Sequence, residues 1–472
     1  MLLPSSRPAR SAVESWAFYG DANGDELGHM VRSAGDLVPS EAGEEAYADI
    51  VVGAPGDSLS LDNEGVVYVF QGGPQGLPKD PYWQVGSGQG GSRFGAAVDS
   101  AGDVNNDGYD DLVIGAWHYR GDPMDPGKAQ EGAVTLYCGP LNPLSPSVDW
   151  QFLGGRKESY AGRSVAMAGD VNNDGYDDIL VGARWFEDPD FVGGAALLFY
   201  GGDTCDLGDE PDWVYEGDQA GANLGTAVAT AGDVNGDGIA DVIISAPGYD
   251  GDAGIDEGAV LVFYGQDNST LASTPDWSAY GGQAEAWFGS SVGTAGDVNG
   301  DGWDDIVVGA SRYDDRYANE GAAFVFYGGG TGLHADGPDW VAYGRQLGAW
   351  FGASVSTAGD ADGDGWDDVL VGAPYYNKNG EGAAFIFYGS AEGLAKVPGW
   401  RATGEKAETE FGYSVSAAGD VRGDGTGGIL VGAPVYKRDD KTPLGKAAAF
   451  YGPLLPSPYY RVYLPVIQQQ SP

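Results

Sequence analysis

Residues 275–328 read PDWSAYGGQAEAWFGSSVGTAGDVNGDGWDDIVVGASRYDDRYANEGAAFVFYG, and four short apolar segments stand out in them: WSAY, FGSSV, DIVVGA and GAAFVFYG. Each is rich in Val, Ile, Phe, Tyr or Trp and is bounded by Gly, Asp or Asn, the punctuation of strands joined by turns. No stretch of helical length carries an apolar period of 3.6 residues. The fold class is therefore all-β.

The unit recurs along the chain. Trp16, Trp83, Trp150, Trp213, Trp277, Trp340 and Trp400 are spaced by 67, 67, 63, 64, 63 and 60 residues. The Asp that opens each loop region, at positions 36, 103, 170, 233, 297, 360 and 420, repeats the same six intervals. Two chemically unrelated markers in register mean seven copies of one unit. Four strands in a repeat of about 60 residues describe a propeller blade, and seven blades lie within the usual range. The sequence thus predicts a seven-bladed β-propeller over residues 16–452, with an N-terminal extension at 1–15 and a C-terminal tail at 453–472.

A propeller must close its ring. The first Trp segment, residues 16–20, precedes the first inner strand and has no blade of its own, while the last repeat stops after its third strand at 446–452. Residues 16–20 are therefore expected to form the outer strand of the seventh blade, covering edges that would otherwise be bare. An open solenoid would instead need atypical polar caps at both ends.

Composition narrows the function. The 70 Asp and Glu outnumber the 24 Lys and Arg, for a net charge of −46. Such a field repels nucleic acid, which needs cations against its phosphates. It also keeps a protein soluble, which accounts for much of the charge. No segment reaches the roughly 20 apolar residues of a membrane helix. A monomeric propeller with no nucleic-acid partner and no membrane span is expected; the tail segment YYRVYLPVI reads as a strand or an attachment segment.

Five repeats carry the nine-residue pattern D-x-[ND]-x-D-G-x-x-D. A hard cation takes six to eight oxygens at about 2.3 to 2.6 Å, and a tight loop with a central Gly can aim every second residue inward. The second repeat supplies Asp103, Asn105, Asp107, the carbonyl of Tyr109, and Asp111. The corresponding sets are Asp170, Asn172, Asp174, Tyr176 and Asp178; Asp233, Asn235, Asp237, Ile239 and Asp241; Asp297, Asn299, Asp301, Trp303 and Asp305; and Asp360, Asp362, Asp364, Trp366 and Asp368. Carboxylates crowded within about 5 Å repel by several kcal/mol at an effective dielectric near 20. About five Ca2+ ions per chain are expected. In the seventh repeat Arg422 takes the third ligand position and Gly428 the ninth, so Arg422 is expected to replace the ion by pairing with Asp420 and Asp424. The first repeat is five residues longer, and Glu41, Glu45 and Asp49 could still cluster there although Gly43 fills a ligand position.

Phe94-Gly95, Phe288-Gly289, Phe351-Gly352 and Phe411-Gly412 precede these loops, and Gly53-Ala54-Pro55, Gly372-Ala373-Pro374 and Gly432-Ala433-Pro434 follow them. Leu224-Gly225 with Ser245-Ala246-Pro247 is a looser copy. From Trp16 to Gly452 the chain resembles the FG-GAP repeats of the integrin α-subunit propeller. The resemblance implies seven blades, calcium in lower-face loops and extracellular recognition. It does not imply an integrin, since residues 453–472 are expected to be a tail with no counterpart of the leg domains or membrane helix.

Other motifs dissolve in the repeat. Gly289-Ser290-Ser291-Val292-Gly293 fits a nucleophile elbow, yet the same place reads GASVS from Gly352 and GYSVS from Gly412. Of the two RGD triplets, Arg422-Gly423-Asp424 is a degraded calcium loop, and Arg120-Gly121-Asp122 arises readily in a chain rich in Gly and Asp. His29, His118 and His334 show no zinc or triad spacing. A bridge between Cys138 and Cys205 stays open, so the redox compartment is not settled. MLLPSSRPARSAV has too short an apolar run for a signal peptide. Calcium modules of modest affinity load outside cells, so an extracellular, secreted or cell-surface protein with a truncated or misassigned start is expected. Asn268-Ser269-Thr270 is a glycosylation acceptor sequence.

The leading expectation is a non-enzymatic recognition or adhesion module that binds an extracellular protein or glycan. Its candidates lie on loops of the face opposite the calcium: Trp117, Tyr119, Trp185, Tyr249, Trp287, Tyr313, Trp350, Tyr375 and Tyr376. Aromatics ringed by acids suit sugar stacking or a basic partner, although packing of loop against loop would also use them. The alternative is a hydrolase or lyase acting on polysaccharide or phospholipid, which would need an acid/base pair on that face.

Overall fold

The computed structural model describes residues 14–39, 47–122, 124–125, 128–144, 146–155, 157–186, 193–267, 269–334, 337–377, 379–437 and 442–455. Its regular elements are 28 strands in seven four-stranded sheets. The second blade shows how sequence makes one. Strands β6 (Ala97–Gly102), β7 (Asp111–Ala116), β8 (Ala133–Tyr137) and β9 (Trp150–Leu153) pair in that order, all antiparallel. All six residues of β7 are buried, which is why DLVIGA lacks the polar alternation of a one-sided strand. The outer β9 alternates instead, with Trp150 and Phe152 turned inward. Each apolar core joins two neighbouring blades: Val113 and Leu136 of the second pack with Val181 and Phe199 of the third.

Ring closure follows the expectation. Strand β1 (Trp16–Tyr19) pairs with β28 (Lys446–Tyr451), in register Trp16 to Ala449 and Tyr19 to Lys446. Strand β28 in turn pairs with β27 (Gly428–Ala433), and that with β26 (Ser414–Gly419). Trp16 and Phe18 each lie 4.9 Å, ring to ring, from Phe70 of the first blade, and Trp16 Nε1 donates to the Pro78 carbonyl. One short strand therefore seals the seventh blade and its seam with the first.

The two glycines of the motif meet between blades. Gly372 of the sixth blade packs on the carbonyl of Gly412 of the seventh, where a Cβ would overlap the oxygen. Gly53 meets Gly95, Gly115 meets Gly162, Gly182 meets Gly225, Gly309 meets Gly352 and Gly432 meets Gly28 in the same way. The partner glycine has positive φ, +87° at Gly412, a conformation that side chains rarely adopt.

The structure resolves one reading left open, changes a second and bears out a third. Cys138 and Cys205 form a disulfide, Cα to Cα 6.6 Å, fastening the second blade to the third. Arg422 pairs with Asp424 at 2.8 Å but not with Asp420, which instead accepts the Arg422 backbone N–H; the guanidinium turns to the Gly452 carbonyl, within 3.0 Å. Ser291 lies in β18 (Phe288–Gly296) and donates to the Gly352 carbonyl, so the GxSxG match is a blade contact. Glu41, Glu45 and Asn268 lie outside the described residues.

Candidate functional site

Turns between the first and second strands of each blade form one end of the central channel. In the second blade, Asp103 accepts the N–H groups of Asp107 and Gly108 at 2.9 and 2.8 Å, Asn105 Oδ1 accepts that of Asp107, and Asp107 Oδ1 that of Tyr109. The same curl recurs around Asp170, Asn172 and Asp174; Asp233, Asn235 and Asp237; Asp297, Asn299 and Asp301; and Asp360 and Asp364. Oxygens at the first, third and fifth positions are thereby turned toward the loop interior. Gly108, at φ +93°, makes the bend.

The ninth residue is held differently. Asp111 is fully buried, and its two oxygens accept the N–H groups of Val104 and Gly139 at 3.0 and 2.8 Å. Asp178, Asp241, Asp305 and Asp368 repeat this pattern. Burial pushes Asp111 up to about 7 and the other four to about 8, with the loop carboxylates pushing the same way. This residue is a structural tie as well as a candidate ligand. In the sixth blade, ligand oxygens of Asp360, Asp362 and Asp368 lie within 4.8 Å of one another, and the buried Asp362 Oδ1 has no hydrogen-bond partner. An orphaned carboxylate oxygen facing two others fits a hard cation.

Sequence reasoning missed the eighth position. Asp110, Asp177, Asp304 and Asp367 each accept the N–H of the Asp that opens the preceding blade's loop, at 2.7 to 3.0 Å. Four neighbouring pairs of loops are thereby linked, and the link is missing where the eighth residue is Ala240 or Gly427. The doubled Asp of YDD and WDD was the available signal.

At the opposite end the channel opens into a cavity of about 330 Å³. The residue before each FG-type pair, Glu26, Arg93, Tyr160, Asn223, Trp287, Trp350 and Glu410, has φ between 52° and 62°, and Asn223, Trp287 and Trp350 among them line this cavity. None is glycine, the residue for which that conformation is easiest. Their side chains make contacts around the mouth. Arg93 forms a two-point ion pair with Glu26 at 2.9 and 2.8 Å, and Trp350 packs on Tyr375, whose hydroxyl donates to Glu410. Asn223 Oδ1 accepts Arg184 Nε at 2.9 Å, and the Arg312 guanidinium lies 3.6 Å from the Trp287 ring. Burial, then Arg93 and Arg163, lower His29 to about 3, so it is neutral at physiological pH.

The expected aromatics divide. Trp117, Trp185, Trp287, Trp350 and Tyr375 stand at this mouth: Arg163 lies 5.6 Å from the Trp117 ring, and Trp185 Nε1 donates to Asn223. Tyr119, Tyr249, Tyr313 and Tyr376 instead pack against blade cores, Tyr313 on Phe324 at 5.5 Å and Tyr376 on Phe385 at 5.1 Å. Tyr375 and Tyr376 are adjacent, yet the first lines the cavity and the second packs on a blade core.

Comparison with known proteins bears on this arrangement. The FG-GAP repeat family matches residues 94–137, 161–196, 224–263, 288–326 and 351–387. Integrin alpha-V of Gallus gallus is 34% identical over 216 residues, 44% of this chain and 20% of that protein. Integrin alpha pat-2 of Caenorhabditis briggsae is 31% identical over 271 residues, 52% of this chain and 21% of its own length. Phosphatidylinositol-glycan-specific phospholipase D of Homo sapiens is 29% identical over 302 residues, 59% of this chain and 35% of that enzyme. The chain spans about a fifth of these integrins and about a third of the phospholipase.

Proposed function

As an FG-GAP repeat protein whose propeller resembles that of integrin α subunits, the chain is, we propose, a calcium-stabilised extracellular module that recognises a protein or glycan through the channel mouth. The observation that carries this reading is a cavity at the channel mouth in whose lining Asn223, Trp287 and Trp350 hold left-handed, non-glycine backbone. Strain of this kind collects at ligand sites.

Calcium would be held by the first, third, fifth and ninth side chains and the seventh carbonyl of the five intact loops, and would supply the charge balance those carboxylates lack. The disulfide between Cys138 and Cys205 supports an oxidising, extracellular setting. No helix among the described residues is long and apolar enough to cross a membrane. Similarity to a phospholipase D keeps an enzymatic reading in view. A glycan and protein-binding array, run beside cleavage assays on polysaccharides and phospholipids, separates the two. Retained binding without cleavage is expected; turnover of any substrate would replace recognition with catalysis.

A further inference from the structure

The mouth runs against the charge of the molecule. In a chain of 70 acids and 24 Lys and Arg, five arginines gather at this end of the channel. Two have acidic neighbours: Arg93 is paired to Glu26, and Arg32 Nε lies 3.9 Å from Asp99. Arg163, Arg184 and Arg312 have no carboxylate within ion-pair distance among the described residues. Arg163 and Arg184 line the cavity, and burial holds both guanidiniums below their usual pKa, with Arg163 lowering Arg184 further. Trp287 Nε1 is buried there without a hydrogen-bond partner. Among the described residues the acids near the mouth include Asp256 in the lining, Asp99 beside Arg32, Glu158 near Tyr160, Glu26 tied to Arg93, and Glu410 bonded to the Tyr375 hydroxyl at 3.0 Å.

Guanidiniums with no carboxylate partner, beside an indole N–H without an acceptor, call for an acceptor-rich, negatively charged group. The net charge of −46 opposes approach of a polyanion. A ligand with one compact anionic group on a neutral body meets both conditions. Its body has aromatic walls to lie against: Trp117, Tyr160 and Trp185 at 5.4 and 5.0 Å on one side, Trp350 and Tyr375 at 4.8 Å on the other. An acidic peptide side chain would need the guanidiniums alone. We propose that the channel mouth binds a sugar bearing a single carboxylate, with Arg163 and Arg184 on the carboxylate and the aromatic walls beside the ring. This rests on the recognition reading and names its ligand class.

Calorimetric titration of the full chain in calcium tests it, with glucuronosyl-glucose, glucosyl-glucose and the tripeptide Gly-Glu-Gly as probes. The acidic disaccharide is expected to bind at least tenfold more tightly than the other two. Arg163→Met with Arg184→Gln should erase that preference, and Arg163→Lys should retain part of it, at unchanged melting temperature. Equal affinity for both sugars, preference for the peptide, indifference to the double variant, or no binding of the acidic sugar overturns the proposal. If an array ligand still binds the double variant at full strength, recognition stands and only the acidic-sugar reading falls.

Discussion

Gly372 has no room for a methyl group, because the Gly412 carbonyl of the next blade occupies the space. Gly372→Ala is therefore expected to destabilise the fold by about 1–3 kcal/mol, read as a lower midpoint in chemical denaturation. The glycines themselves were legible as markers, since they recur with the repeat. Their cause was not, because the contact joins residues one blade apart and no local pattern shows it. Asp99 makes a second residue-scale test. Burial raises its carboxyl to about 6, against the lowering pull of Arg32 and the Ser100 N–H. Its folded-state pKa exceeds the unfolded value, so the ionised form works against folding above pH 6, and protonation relieves this as the pH falls toward 4. Asp99→Asn should then stabilise the protein at pH 7.5 by about 1–3 kcal/mol, with the difference from wild type shrinking at pH 4.5. Parallel denaturation curves at the two pH values check it.

At the scale of elements, the loops and the closing strand each have a test. Asp362 stands where the other four intact loops carry Asn. Asp362→Asn should therefore keep the calcium count of the wild type, while Asp360→Ala should lower it by one, as measured by atomic emission after dialysis against micromolar calcium. Asp305→Ala should lose its ion and also free the Val298 and Gly328 N–H groups, so its melting temperature should drop further than that of Asp301→Ala. The loops were readable because ligand chemistry fixes spacing along the chain. The tie made by the ninth residue and the links made by the eighth were not, since both depend on backbone groups brought close by folding. Deleting residues 1–20 should bare β28 and uncover Phe70, giving aggregation by size exclusion. A stable monomeric deletion would mean that β1 does not seal the ring.

For the whole molecule, an ion at about 100 times its dissociation constant adds roughly 2.7 kcal/mol to the folded state. Chelation should thus lower the melting temperature strongly, and an unchanged melt in EDTA would remove calcium from the account. The architecture was readable from two markers with a common ruler. The mouth was less so: aromatics were visible as a class, but adjacent residues such as Tyr375 and Tyr376 part between cavity and core only once the loops are folded, and the guanidiniums drew no notice among so many acids. Closure by β1 also has a consequence in time. The strand that completes the last blade is the first to be made, and roughly 430 residues separate it from its partner. At synthesis rates of about 5–20 residues per second, Trp16 and Phe18 wait for on the order of 20–90 s before their edge exists. Throughout that interval the nascent chain carries a sticky, partnerless ribbon, and a chaperone that shields its first twenty residues would govern the yield of finished propellers.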